Sequence, residues 1–185
     1  MTVGGGDFNE MNQKTEILTR DVNDNLVWSF VQPDFNFASG PRIYGHSLVT
    51  VESSHLSEEY VILTGGYFGI FTPSSNVFKF NGTWSLFGQL KKPRYYHTSI
   101  DWNGAVYIIG GRFNWDDKNT KMEIWKINDS PDQFRTTENW PELFGWENPH
   151  LFIVQDSFFL HERLPNLSNS KNKSFFHERL RILLI

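Results

Sequence analysis

A repeated pattern of tryptophans and glycines constrains the fold of this chain more than any other feature of its sequence. Tryptophan recurs at Trp28, Trp84 and Trp140, at a regular interval of 56 positions. Glycine doublets follow short apolar runs along the same stretch, and their members are Gly5, Gly6, Gly65, Gly66, Gly110 and Gly111. Self-similarity over tens of residues is typical of proteins built from one small unit used several times. The sequence therefore predicts a repeat architecture.

Within each unit the local patterns predict four short antiparallel strands. In the second unit the predicted strands cover residues 45–51, 59–64, 76–80 and 83–87. The third strand alternates apolar and polar residues, which indicates a half-buried strand, and Asn81-Gly82 after it is a strong hairpin signal because both central residues of a type I′ turn need positive φ. The third unit repeats the plan, with a second turn at Asn103-Gly104, over residues 95–100, 105–109, 121–127 and 134–140.

Composition supports strands and excludes several functions. Alanine occurs only at Ala38 and Ala105, whereas aromatic residues make up 16% of the chain. Alanine is the best helix former, and aromatic residues suit a pleated, half-buried surface. The chain has no cysteine, which excludes disulfides and thiolate metal sites, and its formal net charge of −4 argues against a nucleic-acid partner. The predicted fold class is all-β, made of antiparallel four-stranded units.

Further landmarks make the repeat resemble that of a known family. Pro41-Arg42 and Pro93-Arg94 open two units and are followed by His46 and His97. A strand ending in Gly-Gly, an alternating third strand, a tryptophan on the fourth strand and an arginine opening the next unit together resemble the kelch repeat of galactose oxidase-like β-propellers. The resemblance implies that each unit is one four-stranded blade of a propeller.

The resemblance divides the chain into five segments. They are a partial blade at 1–40, a kelch blade at 41–92, a second blade at 93–147, the start of a further blade at 148–160 and a basic tail at 161–185. The expected architecture is a partial propeller with two full blades and two half blades. Open strand edges are sites for pairing, so we expect the chain to be a fragment or to associate with itself.

The incomplete segments carry their own expectations. Residues 14–19 and 25–31 are predicted to be the last two strands of the first blade, and residues 150–155 and 158–160 the first two strands of the last one. The tail lies outside the repeat, and residues 175–184 within it form a candidate short helix with leucines on one side.

Most landmarks are interpreted as structural. The glycines are expected where a strand turns with positive φ close to its neighbours, and Trp28, Trp84 and Trp140 are expected to fill the contacts between blades. His46 and His97 are interpreted as hydrogen-bonded core residues, because the six histidines show no zinc-ligand spacing. For Arg42 and Arg94 two roles stay open, namely tying blades together and facing a partner.

The expected function is to bind a partner protein through loops on one face of the propeller, because loops on a rigid frame carry function. Kelch propellers resemble one another in using these loops and the arginine-bearing turns. Tyr, Trp and Arg are the residue types that dominate protein-binding hot spots. The candidate partner-binding residues are Arg42, Tyr44, Tyr67, Phe68, Arg94, Tyr95, Arg112, Phe113 and Trp115.

The sequence supports other functions less well. Copper oxidases of the propeller class need a cysteine that the chain lacks, and no catalytic motif is found, so we expect neither catalysis nor a cofactor. The longest apolar runs are far shorter than the roughly 20 residues that span a bilayer. No signal segment is recognised, which predicts a cytoplasmic protein. Sequons at Asn81, Asn128, Asn166 and Asn172 support the alternative, a secreted module that binds glycans or proteins.

Overall fold

The computed structural model describes eleven stretches of the chain. They are residues 1–3, 15–31, 43–53, 58–68, 72–114, 122–127, 130, 133–136, 151–155, 174–177 and 180–184. These residues form β-strands and no helix, and every strand pairing among them is antiparallel. The predicted all-β fold class is therefore confirmed.

The first sheet has three strands in the order β1-β2-β3, namely β1 (Thr2–Val3), β2 (Thr15–Arg20) and β3 (Leu26–Phe30). The last two form the hairpin predicted from the sequence. Its turn is held by the Asp21 carboxylate, which accepts hydrogen bonds from the backbone amides of Asn23 at 2.8 Å and Asn25 at 2.9 Å. An aspartate that bonds the backbone two residues ahead is a common way to close a turn.

The second segment supplies seven strands. In chain order they are β4 (Ile43–Tyr44), β5 (Ser47–Ser53), β6 (Glu58–Thr64), β7 (Tyr67–Phe68), β8 (Thr72–Pro73), β9 (Asn76–Phe80) and β10 (Trp84–Gln89). Four of them form the second sheet in the order β10-β9-β6-β5, and the other three form a small sheet in the order β4-β7-β8. All four strands predicted for this unit are present, in the predicted succession.

The third sheet repeats this succession in the order β11-β12-β13-β14. Its strands are β11 (Tyr95–Trp102), β12 (Ala105–Arg112), β13 (Glu123–Lys126) and β14 (Arg135–Thr136). The predicted turn between the first two strands is present, and φ is positive at both Asn103 (51°) and Gly104 (73°). The predicted fourth strand begins as expected, while residues 137–140, and with them Trp140, lie outside the described residues.

The C-terminal sheet corrects one prediction. It contains β15 (Leu151–Gln155), β16 (Ser174–His177) and β17 (Leu180–Leu184) in the order β15-β17-β16. The candidate helix at 175–184 is wrong, because these residues form two strands and β17 pairs along its whole length with β15. Pairing with a strand from residues 151–155 overrides the local leucine spacing. The strand predicted at 158–160 lies outside the described residues.

The main hydrophobic core lies between the second and third sheets. Its buried members are Val49, Val51, Tyr60, Ile62, Val77, Leu90, Val106, Ile108, Trp125 and Phe134. The Phe87 ring meets the Trp125 ring edge-on at 5.0 Å, which is a favoured geometry for aromatic pairs. Since both sheets contribute, neither buries its inner side chains without the other.

A smaller core joins the first sheet to the second. Val3, Ile43 and Leu63 are buried in it, and the half-buried Trp84 packs against them while its indole N–H donates to the Thr15 hydroxyl at 2.9 Å. The expectation that Trp28 also fills a contact between sheets is not met. Trp28 lies on β3, the outermost strand of the first sheet, and its side chain is 53% exposed.

Candidate functional site

Two glycine doublets allow neighbouring strands to approach closely at one end of the second and third sheets. The φ angles of Gly65, Gly66, Gly110 and Gly111 all lie between 55° and 92°, in the region that favours glycine. A Cβ atom on Gly65 would collide with the carbonyl oxygen of Arg94, and one on Gly111 would lie 2.6 Å from the Tyr95 carbonyl oxygen. The doublets therefore let the residue before β11 cross close to the end of β6, and let β11 lie close to its ladder partner β12. Gly5 and Gly6 lie outside the described residues.

A buried ion pair holds the segment that leads into this crossing. The Arg94 guanidinium lies 2.6 Å from the Glu123 carboxylate, and both side chains are almost completely buried. Arg94 also donates to the Gly110 carbonyl at 3.1 Å, and Glu123 accepts from the Lys91 amide at 2.7 Å. Burial lowers the pKa of Arg94, and the Glu123 carboxylate opposes this effect. Arg94 therefore ties two units together, and its placement does not support the expectation that it faces a partner.

A cluster of hydroxyl groups and imidazoles lies buried between β5, β6 and β11. The Thr64 hydroxyl lies 2.8 Å from His97 Nε2 and 2.8 Å from the Ser99 hydroxyl. The Ser47 hydroxyl accepts from the Ser99 amide at 2.8 Å. Burial lowers the pKa of His46 to about 4 and, together with the nearby charge of Arg94, lowers the pKa of His97 well below its usual value. Both histidines are thus neutral, hydrogen-bonding components of the core at physiological pH.

Four tyrosines from three strands form a continuous row of rings beside this cluster, which we call the tyrosine row. The ring centroids are 4.8 Å apart for Tyr44 and Tyr67, 4.1 Å for Tyr67 and Tyr95, and 5.2 Å for Tyr95 and Tyr96. Tyr67 and Tyr95 are buried, Tyr44 is half-buried, and Tyr96 is exposed. Burial, the Tyr95 hydroxyl and the neighbouring tyrosines raise the pKa of Tyr67, so the phenol stays protonated. The row leads from the core to the surface.

Tyr96 is held in an unusual backbone conformation. Its φ is 53°, which is uncommon for a bulky residue. Its amide donates to the Gly45 carbonyl at 2.7 Å, and the flanking residues Tyr95 and His97 pair with β12 in regular register. A Cβ atom on Gly45 would lie 3.1 Å from the Tyr96 ring, so the glycine makes room for the tyrosine. Strained conformations of this kind cluster at functional sites.

The loop that follows β12 is anchored to the same end of the sheets. The Tyr95 hydroxyl donates to the Asn114 carbonyl at 2.9 Å. Arg112 lies directly opposite Tyr95 in the β11–β12 ladder, and the half-buried Phe113 ring lies 5.2 Å from the Lys92 ammonium group. A cation over an aromatic face is a favourable contact. Tyr95 thus connects the tyrosine row to the start of this loop.

The structure brings only some of the candidate partner-binding residues together. Tyr44, Tyr67 and Tyr95 converge in the tyrosine row, although the last two are buried and act as its support. Phe68 lies in β7, but its side chain, like the whole of Arg42 and Trp115, lies outside the described residues. Sequence reasoning missed Tyr96, which is the exposed member of the row. The adjacent pair Tyr95-Tyr96 could have indicated it. Neighbouring residues of a strand face opposite sides, so one tyrosine of the pair is expected to face the core and the other the surface.

Comparisons with known proteins add no family. The sequence matches no known protein-family model, and no curated protein matches it either. Within the described ranges no three potential metal-ligating side chains come together, and no helix is long and apolar enough to cross a membrane.

Proposed function

We propose that this chain is a protein-binding module built on the plan of a kelch β-propeller, and that it binds its partner at the surface end of the tyrosine row. The observation that carries the proposal is Tyr96, an exposed aromatic side chain held in a strained conformation and backed by buried rings. The half-buried Tyr44, Arg112 and Phe113 are the other proposed contacts.

The repeated geometry of the second and third sheets supports the propeller part of the proposal. Each is a four-stranded antiparallel sheet in simple succession, each carries a positive-φ glycine doublet at or just after the end of its second strand, and the two share one core. Propellers array four-stranded sheets so that only short edges remain. The partial ring of two full and two half blades stays a prediction.

Tyr96 has the physical properties of a binding hot spot. Tyrosine offers a large contact area and loses little conformational entropy on binding, because it has only two side-chain torsions. Here the backbone bond to Gly45 and the ring contact with Tyr95 restrict Tyr96 before any partner arrives. A side chain that is already ordered loses less conformational entropy on binding. This makes Tyr96 the residue whose removal is expected to weaken binding most.

The proposal assigns binding and not catalysis to the chain. The arrangement closest to a catalytic one is the buried contact between the Thr64 hydroxyl and His97. A nucleophile and its base must reach the substrate, whereas Thr64 and His97 are buried. The Thr64 hydroxyl also bonds to Ser99, which ties it further into the core. A structural role accounts for these contacts.

Quantitative pull-downs with the full chain test the proposal. Tyr96→Asn removes the ring but keeps a residue that tolerates positive φ, and it is expected to reduce recovery of the bound protein at least about fivefold. The matched control is Leu86→Asn, which removes an apolar side chain that is 62% exposed on β10. Equal recovery with Tyr96→Asn and wild type, with both variants folded, would contradict the proposal.

The secreted alternative has one observation in its favour. The sequon at Asn81 lies in the exposed turn between β9 and β10, where Asn81, Gly82 and Thr83 are all accessible. Glycosylation acceptors in secreted proteins lie on such surface loops. Expression through a secretory pathway tests this alternative: a mass shift that Asn81→Gln abolishes would support it, and an unmodified chain would favour the cytoplasmic placement that we propose.

A further inference from the structure

The first sheet carries a surface whose apolar side chains are exposed. Residues on one side of β2 and β3 alternate along each strand and face one another across the ladder, with Leu18 opposite Trp28 and Arg20 opposite Leu26. The apolar members of this surface are exposed by 38% for Leu18, 61% for Leu26, 53% for Trp28 and 54% for Phe30. We call it the outer face of the first sheet.

The opposite side of the same hairpin already has its neighbour. Thr15 on that side is buried and accepts the indole hydrogen bond of Trp84 from the second sheet. Ile17 lines a cavity of about 410 Å³ together with Tyr60 and Phe80 of the second sheet. Among the residues that the structure describes, the second sheet therefore contacts this side of the hairpin through Thr15 and Ile17. Val27 on the same side is 42% exposed, and the outer face carries the larger exposed apolar surface.

We propose that the outer face is a self-association surface and that its occupant is the outer face of a second copy of this chain. The argument is charge complementarity. Glu16, Leu18 and Arg20 alternate along β2, so an acidic and a basic side chain flank a central apolar residue on the same face. A two-fold axis lying in the interface and perpendicular to the strands places Glu16 of one copy over Arg20 of the other, and the reverse.

The same axis also matches the apolar groups. It places Leu18 over Leu18 and Trp28 over Trp28, and it places Phe30 of one copy over Leu26 of the other. Because Phe30 lies opposite Glu16, and Leu26 opposite Arg20, the two charge pairs flank one continuous apolar centre. Isologous contacts of this self-complementary kind are the commonest in soluble oligomers.

The contact is expected to be weak and reversible. Four apolar side chains per copy make a patch smaller than the roughly 800 Å² per partner of a standard interface. The Arg20 guanidinium lies 3.1 Å from Asp24 in the free chain, but both side chains are largely exposed. Such surface pairs contribute little and can exchange partners. Association is therefore expected to depend on protein concentration and to weaken with salt.

Sedimentation velocity of the full chain over a wide concentration range tests the proposal. Wild type is expected to form dimers as concentration rises, while Glu16→Arg or Arg20→Glu places like charges opposite each other and is expected to raise the dissociation constant at least about tenfold. The double variant Glu16→Arg with Arg20→Glu restores opposite charges in the two-fold arrangement. It is expected to return to within about threefold of wild type.

Two further variants keep the result interpretable. Trp28→Ser should abolish dimers, whereas Leu86→Ser removes a comparably exposed apolar side chain from the second sheet and should leave them unchanged. Circular dichroism checks that each variant is folded. A wild type that stays monomeric at all concentrations overturns the proposal, as does a double swap that remains as weak as the single ones. If the outer face binds a different protein instead, wild type is expected to stay monomeric at all concentrations, which is the first of these outcomes.

Discussion

Two regions of the molecule use the same kinds of residue but differ in burial. One is the contact between the second and third sheets, and the other is the outer face of the first sheet. Trp125 is 1% exposed in the first of these regions, and Trp28 is 53% exposed in the second. Arg94 lies 2.6 Å from a buried glutamate, and Arg20 lies 3.1 Å from an exposed aspartate. Residue type is thus shared, and burial decides how much each residue contributes to stability.

The largest difference is expected for the two tryptophans. Trp125→Ala empties the centre of the main core and should lower the free energy of unfolding by about 3–5 kcal/mol. Trp28→Ala removes a side chain that water already reaches, and in dilute solution it should cost less than about 1 kcal/mol. Chemical denaturation of both variants measures the difference. Equal losses would show that the outer face of the first sheet is as closely packed as the core.

The next difference is expected for the two ion pairs. Arg94→Ala leaves the Glu123 carboxylate buried beside only the backbone amides of Lys91 and Lys92, and it should cost about 3 kcal/mol. Arg20→Ala breaks a solvent-exposed pair and should cost no more than about 0.5 kcal/mol. Thermal unfolding of the two variants at low and high salt provides the measurement. A salt-insensitive loss larger in Arg20→Ala than in Arg94→Ala would contradict this assignment.

A smaller effect is expected from pH at the two histidines, His46 and His97, beside the contact between the second and third sheets. Burial lowers the folded-state pKa of His46 to about 4 and that of His97 well below 6.5, so the folded chain binds fewer protons than the unfolded chain. Stability is therefore complete above pH 6.5 and falls as the pH drops through 6.5 toward those lowered pKa values. At pH 5 the loss should be roughly 2 kcal/mol for a histidine shifted this far.

Unfolding free energies measured from pH 7.5 to 4.5 check this prediction. His97→Gln keeps a polar side chain but removes the titrating group, so its stability should depend less steeply on pH than that of wild type. Leu86→Asn, which changes an exposed position remote from the histidines, is the matched control and should keep the wild-type slope. Identical slopes for all three proteins would show that His97 is not buried in its neutral form.

The sequence predicts the strands of this fold better than it predicts their register and the contacts between sheets. The succession of strands in the second and third units follows from alternation and turn residues, which act locally. Asn103-Gly104 forms the predicted turn with two positive φ angles, but after β9 only Gly82 has positive φ, at 89°. There three residues separate the paired Phe80 and Trp84, so the loop is longer than a two-residue turn. Loop length is decided by strand register, which the dipeptide alone does not encode.

The predictions that failed depend on distant parts of the chain. The leucines of β17 fit one side of a helix, and only their pairing with β15 makes a strand more favourable. Trp28 occupies the repeated tryptophan position, and its exposure depends on which sheet lies against β3. At the candidate site, the sequence nominated Tyr44, Tyr67 and Tyr95 by loop position. It missed Tyr96, because neither its left-handed φ nor its backbone bond to the distant Gly45 is encoded in a local pattern.

Arg94 also bears on how such units can be duplicated. Its backbone amide donates to the Ser74 carbonyl and its own carbonyl accepts from the Gly66 amide, both in the preceding unit, while its side chain pairs with Glu123 in its own unit. A genetic exchange with its breakpoint anywhere between Gly66 and Glu123 would separate Arg94 from at least one of these partners. The heritable module therefore spans the junction between two sheets and not one sheet alone, and recombination in the hairpin turns at Asn81 and Asn103, which lie inside this module, is expected to be poorly tolerated.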